Sequence, residues 1–450
     1  MTTALIILGA GMGTRMNSAL PKVLHPIAGA PLLVHAMKSG ASLDPERTVV
    51  VAGHGAEKVS KAAKAWDADA QVVIQTEQLG TAHAVAQAKD ALADFSGDAI
   101  VLYGDTPFIA PETLEAMIAA RSDHDVIVLG FEAADPGRYG RLVTTGDALD
   151  RIVEFKDAND EERAITLCNS GVIAANAETL FALIDAVGND NASGEYYLTD
   201  IVGLAREQGL SATVVRCAEA ETLGINSREE LASAEAAYQQ RARADALANG
   251  VGMAAADTVY FAHDTFIGRD AIIEQNVVFG PGVTVESEAT IRAFSHLEGC
   301  HVSRDAIVGP YARLRPGTEL SEGVKVGNFV EIKNAQVAEG AKVNHLTYIG
   351  DADIGPRANI GAGTVTCNYD GYFKHKTTIG ADAFIGSSTM LVAPVKVGSG
   401  ALTASGSVVT EDVPAGDMAI GRARQTNKAG LAAKLMDKLE AAKAKLKKGS

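Results

Sequence analysis

The chain has 450 residues, of which 47% are hydrophobic and 21% charged, with a formal net charge of −16. That length exceeds one ordinary hydrophobic core, so two or more domains are expected, and the composition excludes a disordered chain. The acidic balance disfavours nucleic acid and anionic membranes as partners, and no apolar run is long enough to cross a bilayer, so no membrane insertion is expected.

The first strand-like run, Leu5 to Leu8, flows into glycines without a basic leader, so no secretory signal is expected. Four scattered cysteines, Cys168, Cys217, Cys300 and Cys367, have neither metal-ligand spacing nor the density of a disulfide framework. A cytoplasmic location follows. Up to residue 226 short β-rich runs alternate with helical stretches, and Leu5 to Leu8, Thr48 to Val51, Ala70 to Ile74, Ala99 to Leu102 and Val126 to Leu129 read as strands of an α/β domain.

Directly after the first strand come LGAGMGTRM (8–16) and LPKVLHPIAG (20–29). Gly9, Gly11 and Gly13 let backbone N–H groups approach a phosphate closely, and Arg15 and Lys22 supply opposite charge. The turn lacks the Gly-Lys-Ser/Thr of a P-loop and the spacing of the dinucleotide fingerprint, so by itself it serves equally as a connection between strand and helix. QTEQLGTAHA (75–84) adds a second small-residue turn, and YGDTP (103–107) sets Asp105 at the end of an apolar run, where a carboxylate is well placed to hold Mg²⁺ against a triphosphate.

The segment 227–249 has no proline, is rich in Ala, Glu, Gln and Arg, and starts with Ser227 and Glu230 at capping-box spacing; it reads as a linker helix. Beyond it, apolar residues recur every six positions. Ile267, Ile273, Phe279, Val285, Ile291 and Leu297 form one run, and Val302, Val308, Leu314, Leu320, Val326 and Ile332 the next. Slips restart the phase at Val337, Val343 and Ile349 and at Ile354, Ile360 and Thr366, and a last run holds Ile379, Ile385, Leu391, Val397, Thr403 and Val409. No α-helix has this period; it is that of a parallel β-helix whose repeated residue points inward. CNYDGYFKHK (367–376) breaks the phase and is expected to loop out. The tail, 430–450, rich in Ala, Lys and Leu, is either a basic helix or disordered.

RLRPGT (313–318), GNFVEIKNA (327–335), NHLTYIGDA (344–352), NIGAGTVTCNYDG (359–371) and IGSSTMLVAPV (385–395) place charged and reactive groups in the repeat, which a bare scaffold does not need. The N-terminal motifs resemble the sugar nucleotidyltransferases. Together with these five strings, and with RYGRLV (138–143), CNSGV (168–172), EYYLTD (195–200) and GINSR (224–228), the chain up to about Gln425 resembles the bifunctional N-acetylglucosamine-1-phosphate uridyltransferase and glucosamine-1-phosphate acetyltransferase family.

That resemblance implies a Rossmann-like nucleotidyltransferase domain over 1–226, the linker helix, and a left-handed parallel β-helix with acetyltransferase activity over 250–429. It assigns the uridine nucleotide to Leu8, Gly9, Ala10, Gly11, Lys22, Gln75, Gly80 and Thr81, and the sugar phosphate to Tyr103, Gly104, Gly140, Glu154, Asn169 and Asn226. Mg²⁺ falls to Asp105 and Asn226, and Arg15 and Lys22 face the charge of the departing pyrophosphate. Gly9 and Ala82 depart from the family pattern.

In the second half, Arg315 and Lys333 are implied to hold the phosphate of glucosamine 1-phosphate, with Tyr348, Asn359 and Tyr369 toward the sugar. His345 is the general base, since an imidazole ordinarily titrates near operating pH. Acetyl-CoA is placed near Ala362, Asn368, Tyr369, Ser387, Ser405 and Arg422, although Ser405, Tyr372 and Phe373 depart from the family pattern. The partners implied are UTP, N-acetylglucosamine 1-phosphate, glucosamine 1-phosphate, acetyl-CoA and two further copies of the chain in a homotrimer. His25, His54 and His83 are read as structural or solvent-facing, and Cys367 as a small loop residue, because neither direct transfer needs a protein nucleophile. The rival reading is a single-activity nucleotidyltransferase with a regulatory β-helix.

Overall fold

The computed structural model describes residues 2–446. The chain divides into two compact units: one runs to Ala248 and includes Tyr260–Thr265, and the other holds Asn249–Val259 and the chain from Phe266 onward.

The first unit is built on a nine-stranded sheet. In chain order its strands are β1 (Thr3–Gly9), β2 (Arg47–Ala52), β3 (Gln71–Ile74), β4 (Asp98–Tyr103), β5 (Val126–Glu132), β6 (Arg141–Thr145), β7 (Ala148–Val153), β8 (Leu167–Asn176) and β9 (Ala212–Cys217). Their spatial order is β3-β2-β1-β4-β8-β5-β9-β7-β6. The strands β3, β2, β1 and β4 run parallel, while β8 is antiparallel to both β4 and β5.

The first strand reads as a continuous apolar run because both faces of the sheet are covered. Ala4, Ile6 and Leu8 join one core with Val85, Leu180 and Ile201, while Leu5 and Ile7 join another with Leu33, Val59 and Leu114. The five expected strands all form, each within a few residues of its expected ends. The other four, β6 to β9, were not expected as strands. Polar and glycine residues interrupt their apolar pattern, as in Asn169-Ser170-Gly171, where the pairing of β8 with β5 shifts register between Asn169 and Ile173.

The segment expected as a linker is helical over Arg228–Ala248, and its capping box is made: Glu230 N–H donates to Ser227 Oγ at 3.1 Å and Ser227 N–H to Glu230 Oε2 at 3.1 Å. The helix belongs to the first unit. Ala234 packs with Ile27, Leu32, Phe108 and Ile225, and the buried Gln239 amide clamps both backbone polar groups of Phe261, at 2.7 and 2.8 Å.

The second unit is a parallel solenoid. Ile267 pairs with Val285, Ile273 with Ile291 and Phe279 with Leu297, each 18 residues on, so three hexads make one coil. Every inward position of the expected phase from Ile273 to Val409 is at most 5% exposed. Ile267 is half-buried, as fits the end of a stack. The slips at Leu297 to Val302, Ile332 to Val337 and Ile349 to Ile354 are hexads one residue short, turned by Gly299, Asn334 and Asp351 with φ of 52°, 46° and 49°. Thr366, an inward polar residue, is satisfied by the Gly350 N–H at 2.7 Å and the Gly350 carbonyl at 3.1 Å. The phase-breaking segment forms a small loop closed by a bridge between Tyr369 and Lys374. Of the tail, Leu431–Leu446 is an exposed helix; residues 447–450 lie outside the described residues.

Candidate active sites

In the first unit the glycine-rich turn and the YGDTP segment lie side by side at the carboxyl ends of β1 and β4. Leu8 pairs with Tyr103, and the Gly104 N–H donates to the Leu8 carbonyl at 2.9 Å. This is the switch point of the sheet: the chain leaves β1 outward to β2 and β3 and returns to the other side of β1 at β4, which is where open α/β sheets bind ligands. Gly13 has φ 59°, and a Cβ on it would sit 2.6 Å from Lys22 Cβ, so a larger residue there would displace the lysine stem.

Lys22 Nζ forms an ion pair with Asp105 and donates to Asn226 Oδ1 at 2.9 Å; the Lys22 and Asp105 side chains are 14% and 17% exposed. Two oxygens more than a hundred residues apart in sequence thus converge on one cationic point. The backbone makes this possible, since Ile225 N–H donates to the Asp105 carbonyl at 3.0 Å and the Glu230 carboxylate accepts Asn226 N–H at 2.5 Å. A carboxylate and an amide oxygen suit Mg²⁺ as hard ligands. Among the described residues no group of three His, Cys, Asp or Glu could hold a metal ion alone, so phosphate and water oxygens would complete its shell. Arg15 is exposed, in the short helical turn Thr14–Met16.

The second turn of this site is stitched to EYYLTD. Gln75, buried, donates to the Gly80 carbonyl at 3.2 Å, Ala82 N–H to the Tyr196 carbonyl at 3.0 Å, and Leu198 N–H to Thr81 Oγ1 at 3.0 Å. Gly80, with φ 120°, backs directly onto the Tyr196 backbone, leaving no space for a Cβ.

Among the residues expected to meet the sugar phosphate, a Cβ at Gly140 would lie 3.5 Å from Glu154 Oε1 and 3.6 Å from Asn169 Cβ, so these three residues form one wall. Thr199 Oγ1 donates to Glu154 Oε1 at 3.3 Å. Burial raises the Glu154 pKa, with the Thr199 bond opposing and the Asp200 charge adding to the rise. Tyr103 is also held strongly protonated, by burial first and then by the charges of Glu154 and Asp105. Glu154 borders a cavity of about 330 Å³ that Arg138, Phe155, Lys156, Ser193 and Tyr197 also line. Of the histidines read as structural or solvent-facing, His25 is 2% exposed and its Nδ1 accepts from Arg228 at 3.2 Å, His83 Nδ1 lies 3.0 Å from the Gln75 amide, and His54 is exposed.

In the second unit, functional groups gather on both sides of one corner of the solenoid. On one face Lys333 pairs in register with Gly350 and Glu331 with Tyr348, and Arg315 makes an ion pair with Glu331 at 2.8 Å. Tyr348 Oη and Asn368 Nδ2 both crowd the α-carbon of Gly350, and Asn368 is fixed by the Asp351 carboxylate.

Across the corner, exposed His345 pairs in register with Asn328, and its Nδ1 lies 3.1 Å from Asn328 Oδ1. An amide oxygen can only accept, so this contact requires a proton on Nδ1, and in the neutral ring it leaves Nε2 as the acceptor. From His345 the corner climbs through the solenoid. Gly363 N–H donates to the His345 carbonyl at 3.1 Å, Ser388 N–H to Ala362 at 2.7 Å, and Gly406 N–H to Ser387 at 2.8 Å, which stacks Ala362, Ser387 and Ser405 above the imidazole. The Arg422 side chain lies at the top, its Cδ 3.8 Å from a Cβ position on Gly406.

Two expected residues stand apart. Asn359 pairs with Lys342, three residues before His345, so the two are about 10 Å apart along the face. Tyr369 is 56% exposed in the outer loop, with Lys374 Nζ 4.0 Å over its ring. Asn328, Glu331 and Asp351 were not singled out from sequence. Their signal was available, because Asn328 stands one coil, 17 residues, before His345.

Residues 5–170 match the model of the MobA-like NTP transferase domain family. Over its whole length the chain is similar to proteins named bifunctional protein GlmU: 68% identical over 449 residues to that of Ruegeria sp. (strain TM1040), covering 100% of both chains. The GlmU protein of Cereibacter sphaeroides is 69% identical over 449 residues, covering 100% of this chain and 99% of the relative. A crystal structure of UDP-glucose pyrophosphorylase complexed with UDP-glucose aligns with a TM-score of 0.45 at 18% identity, over 54% of this chain and 100% of that one.

Proposed function

Because the chain belongs to the family of bifunctional GlmU proteins, we propose that its two units carry consecutive steps of UDP-N-acetylglucosamine synthesis. The C-terminal unit acetylates glucosamine 1-phosphate with acetyl-CoA. The N-terminal unit transfers the uridylyl group of UTP to N-acetylglucosamine 1-phosphate and releases pyrophosphate. We propose a cytoplasmic location for the enzyme; separately, no helix among the described residues is long and apolar enough to cross a membrane.

For uridylyl transfer the residues act by position and charge, and no protein nucleophile is used. The glycine turn receives the triphosphate, and Gly140, Glu154 and Asn169 hold the sugar so that its phosphate oxygen attacks the α-phosphorus in line. Lys22 and Arg15 are the cations that face the departing pyrophosphate. Mg²⁺, held by Asp105 and Asn226, supplies charge neutralisation when bound.

For acetyl transfer, Arg315 and Lys333 hold the sugar phosphate and His345 Nε2 removes a proton from the amine as it attacks the thioester carbonyl, expelling the CoA thiolate. The column Ala362, Ser387 and Ser405 rises about 14 Å above His345 and offers the pantetheine arm a track. The roughly 10 Å between His345 and Asn359 makes one chain's site incomplete for a ligand that touches both. A homotrimer with sites between copies accounts for this. The stacked, exposed rings of Phe294, Tyr311 and Phe329, 4.9 and 5.3 Å apart along the same corner, supply an apolar strip for the contact.

The observation that carries the two-activity reading is His345 held by Asn328, since a solenoid folds without such a pair. The test is mass spectrometry of products after incubation with glucosamine 1-phosphate, acetyl-CoA, UTP and Mg²⁺. UDP-N-acetylglucosamine is expected. Uridylyl transfer to supplied N-acetylglucosamine 1-phosphate without any acetylation would leave the solenoid as a scaffold.

A further inference from the structure

Arg141 is 2% exposed, among the largest fully buried side chains of the protein, and none of its hydrogen bonds ends on a carboxylate among the described residues. Its guanidinium instead spends its donors on backbone carbonyls. Nη1 reaches Pro136 at 3.3 Å and also Tyr139, Nη2 reaches Gly137 at 3.1 Å, and Nε and Nη2 both reach Arg163 at 3.4 Å. The Phe155 ring lies 5.8 Å from its Cζ.

Burying a cation is costly, and here its hydrogen bonds all go to carbonyls that must be turned inward to meet it, with the Phe155 ring beside it. Three of the four belong to the turn 136–139, so the planar fork dictates that turn's shape. The next residue is Gly140, whose carbonyl accepts Asn169 N–H at 2.9 Å and whose α-carbon faces Glu154. Arg138, in the middle of the turn, lines the 330 Å³ cavity beside Glu154.

We propose that Arg141 is a positioning residue for the acceptor sugar: its buried guanidinium sets the turn that presents Gly140 and Arg138 to the Glu154–Asn169 wall, and so sets discrimination among sugar 1-phosphates. This rests on the uridyltransferase reading of the first unit. Arg141 touches no substrate, and it acts on selectivity through backbone it holds.

The test uses the full chain with Arg141→Lys, which keeps the charge but cannot form the fork, and Arg141→Met, which removes both. Steady-state uridylyl transfer is measured with N-acetylglucosamine 1-phosphate and with glucose 1-phosphate, alongside acetyltransferase activity and thermal unfolding. The expected result is a rise of roughly tenfold in KM for N-acetylglucosamine 1-phosphate, a comparable fall in its preference over glucose 1-phosphate, and KM for UTP and acetylation within about twofold of wild type. A lower melting temperature with the sugar preference intact would overturn the proposal.

Should both variants fail to fold, Asp135→Ala decides. The exposed Asp135 carboxylate accepts Gly137 N–H at 3.1 Å and so braces the same turn from outside. A fall in sugar preference with unchanged KM for UTP supports the proposal, and an unchanged preference overturns it. Failure of the wild type to release pyrophosphate from UTP and either sugar phosphate would instead overturn the uridyltransferase reading itself.

Discussion

The Nδ1 atom of His345 lies 3.1 Å from Oδ1 of Asn328, a residue one coil below it in the solenoid. With the amide oxygen accepting, the contact is made by a protonated Nδ1, and so it orients the imidazole we propose as the base. Asn328→Ala is expected to lower acetyl transfer by about 10- to 100-fold, a part of the roughly 10²- to 10⁴-fold that a positioned general base contributes. His345→Ala should lower it further. Free-thiol release from acetyl-CoA measures both, and uridylyl transfer by the same preparations should stay at the wild-type rate.

The two units should also separate in their need for metal. Chelation by EDTA is expected to stop pyrophosphate release and leave thiol release unchanged, because in the first unit a carboxylate and an amide oxygen converge at the candidate phosphate site, while acetyl transfer as proposed uses no metal. Asp105→Asn should cut uridylyl transfer by at least about 100-fold, the scale on which charge-stabilising groups act. Retained activity at saturating UTP would rule out Asp105 as a metal ligand.

Glu154 carries a pH dependence whose sign can be worked out. Burial raises its pKa above the ordinary 4.5, so the folded unit binds that proton more tightly than the unfolded chain does. The stability this contributes is full in acid and is lost as pH rises through the folded value. Glu154→Gln should therefore gain melting temperature relative to wild type between pH 4 and pH 7, while its KM for the sugar phosphate rises. An equal melting difference at both pH values would show that the carboxyl is not perturbed by burial.

The inward stack of the solenoid predicts a sharp positional contrast. Ile332 is fully buried between Leu314 and Ile349, so Ile332→Ala should cost about 2–5 kcal/mol. Gln336, exposed four residues later on the same strand, should change stability by less than about 0.5 kcal/mol when replaced by Ala. Denaturant unfolding of the second unit's signal measures both.

Much of the architecture was legible before any coordinates. A six-residue period can be satisfied only by stacking, so the inward residues from Ile273 to Val409 could be named one by one. The early parallel strands were legible because burial on both faces makes them unbroken apolar runs. The strands β6 to β9 were not, since Arg141 is hidden by backbone carbonyls and the Asn169–Gly171 stretch by a shift in register, and neither leaves an apolar trace.

What the sequence by itself determined, then, was the two grammars and the phase of the repeat, because each is local or strictly periodic. Only the tertiary structure decided which polar groups meet. Lys22 finds Asp105 and Asn226 through chain crossings of 83 and 204 residues, and Arg141 finds the carbonyls of a turn and of Arg163. The reason is physical: a buried polar group takes whatever partner the packed backbone brings within about 3 Å, and chain separation along the sequence carries no record of that distance.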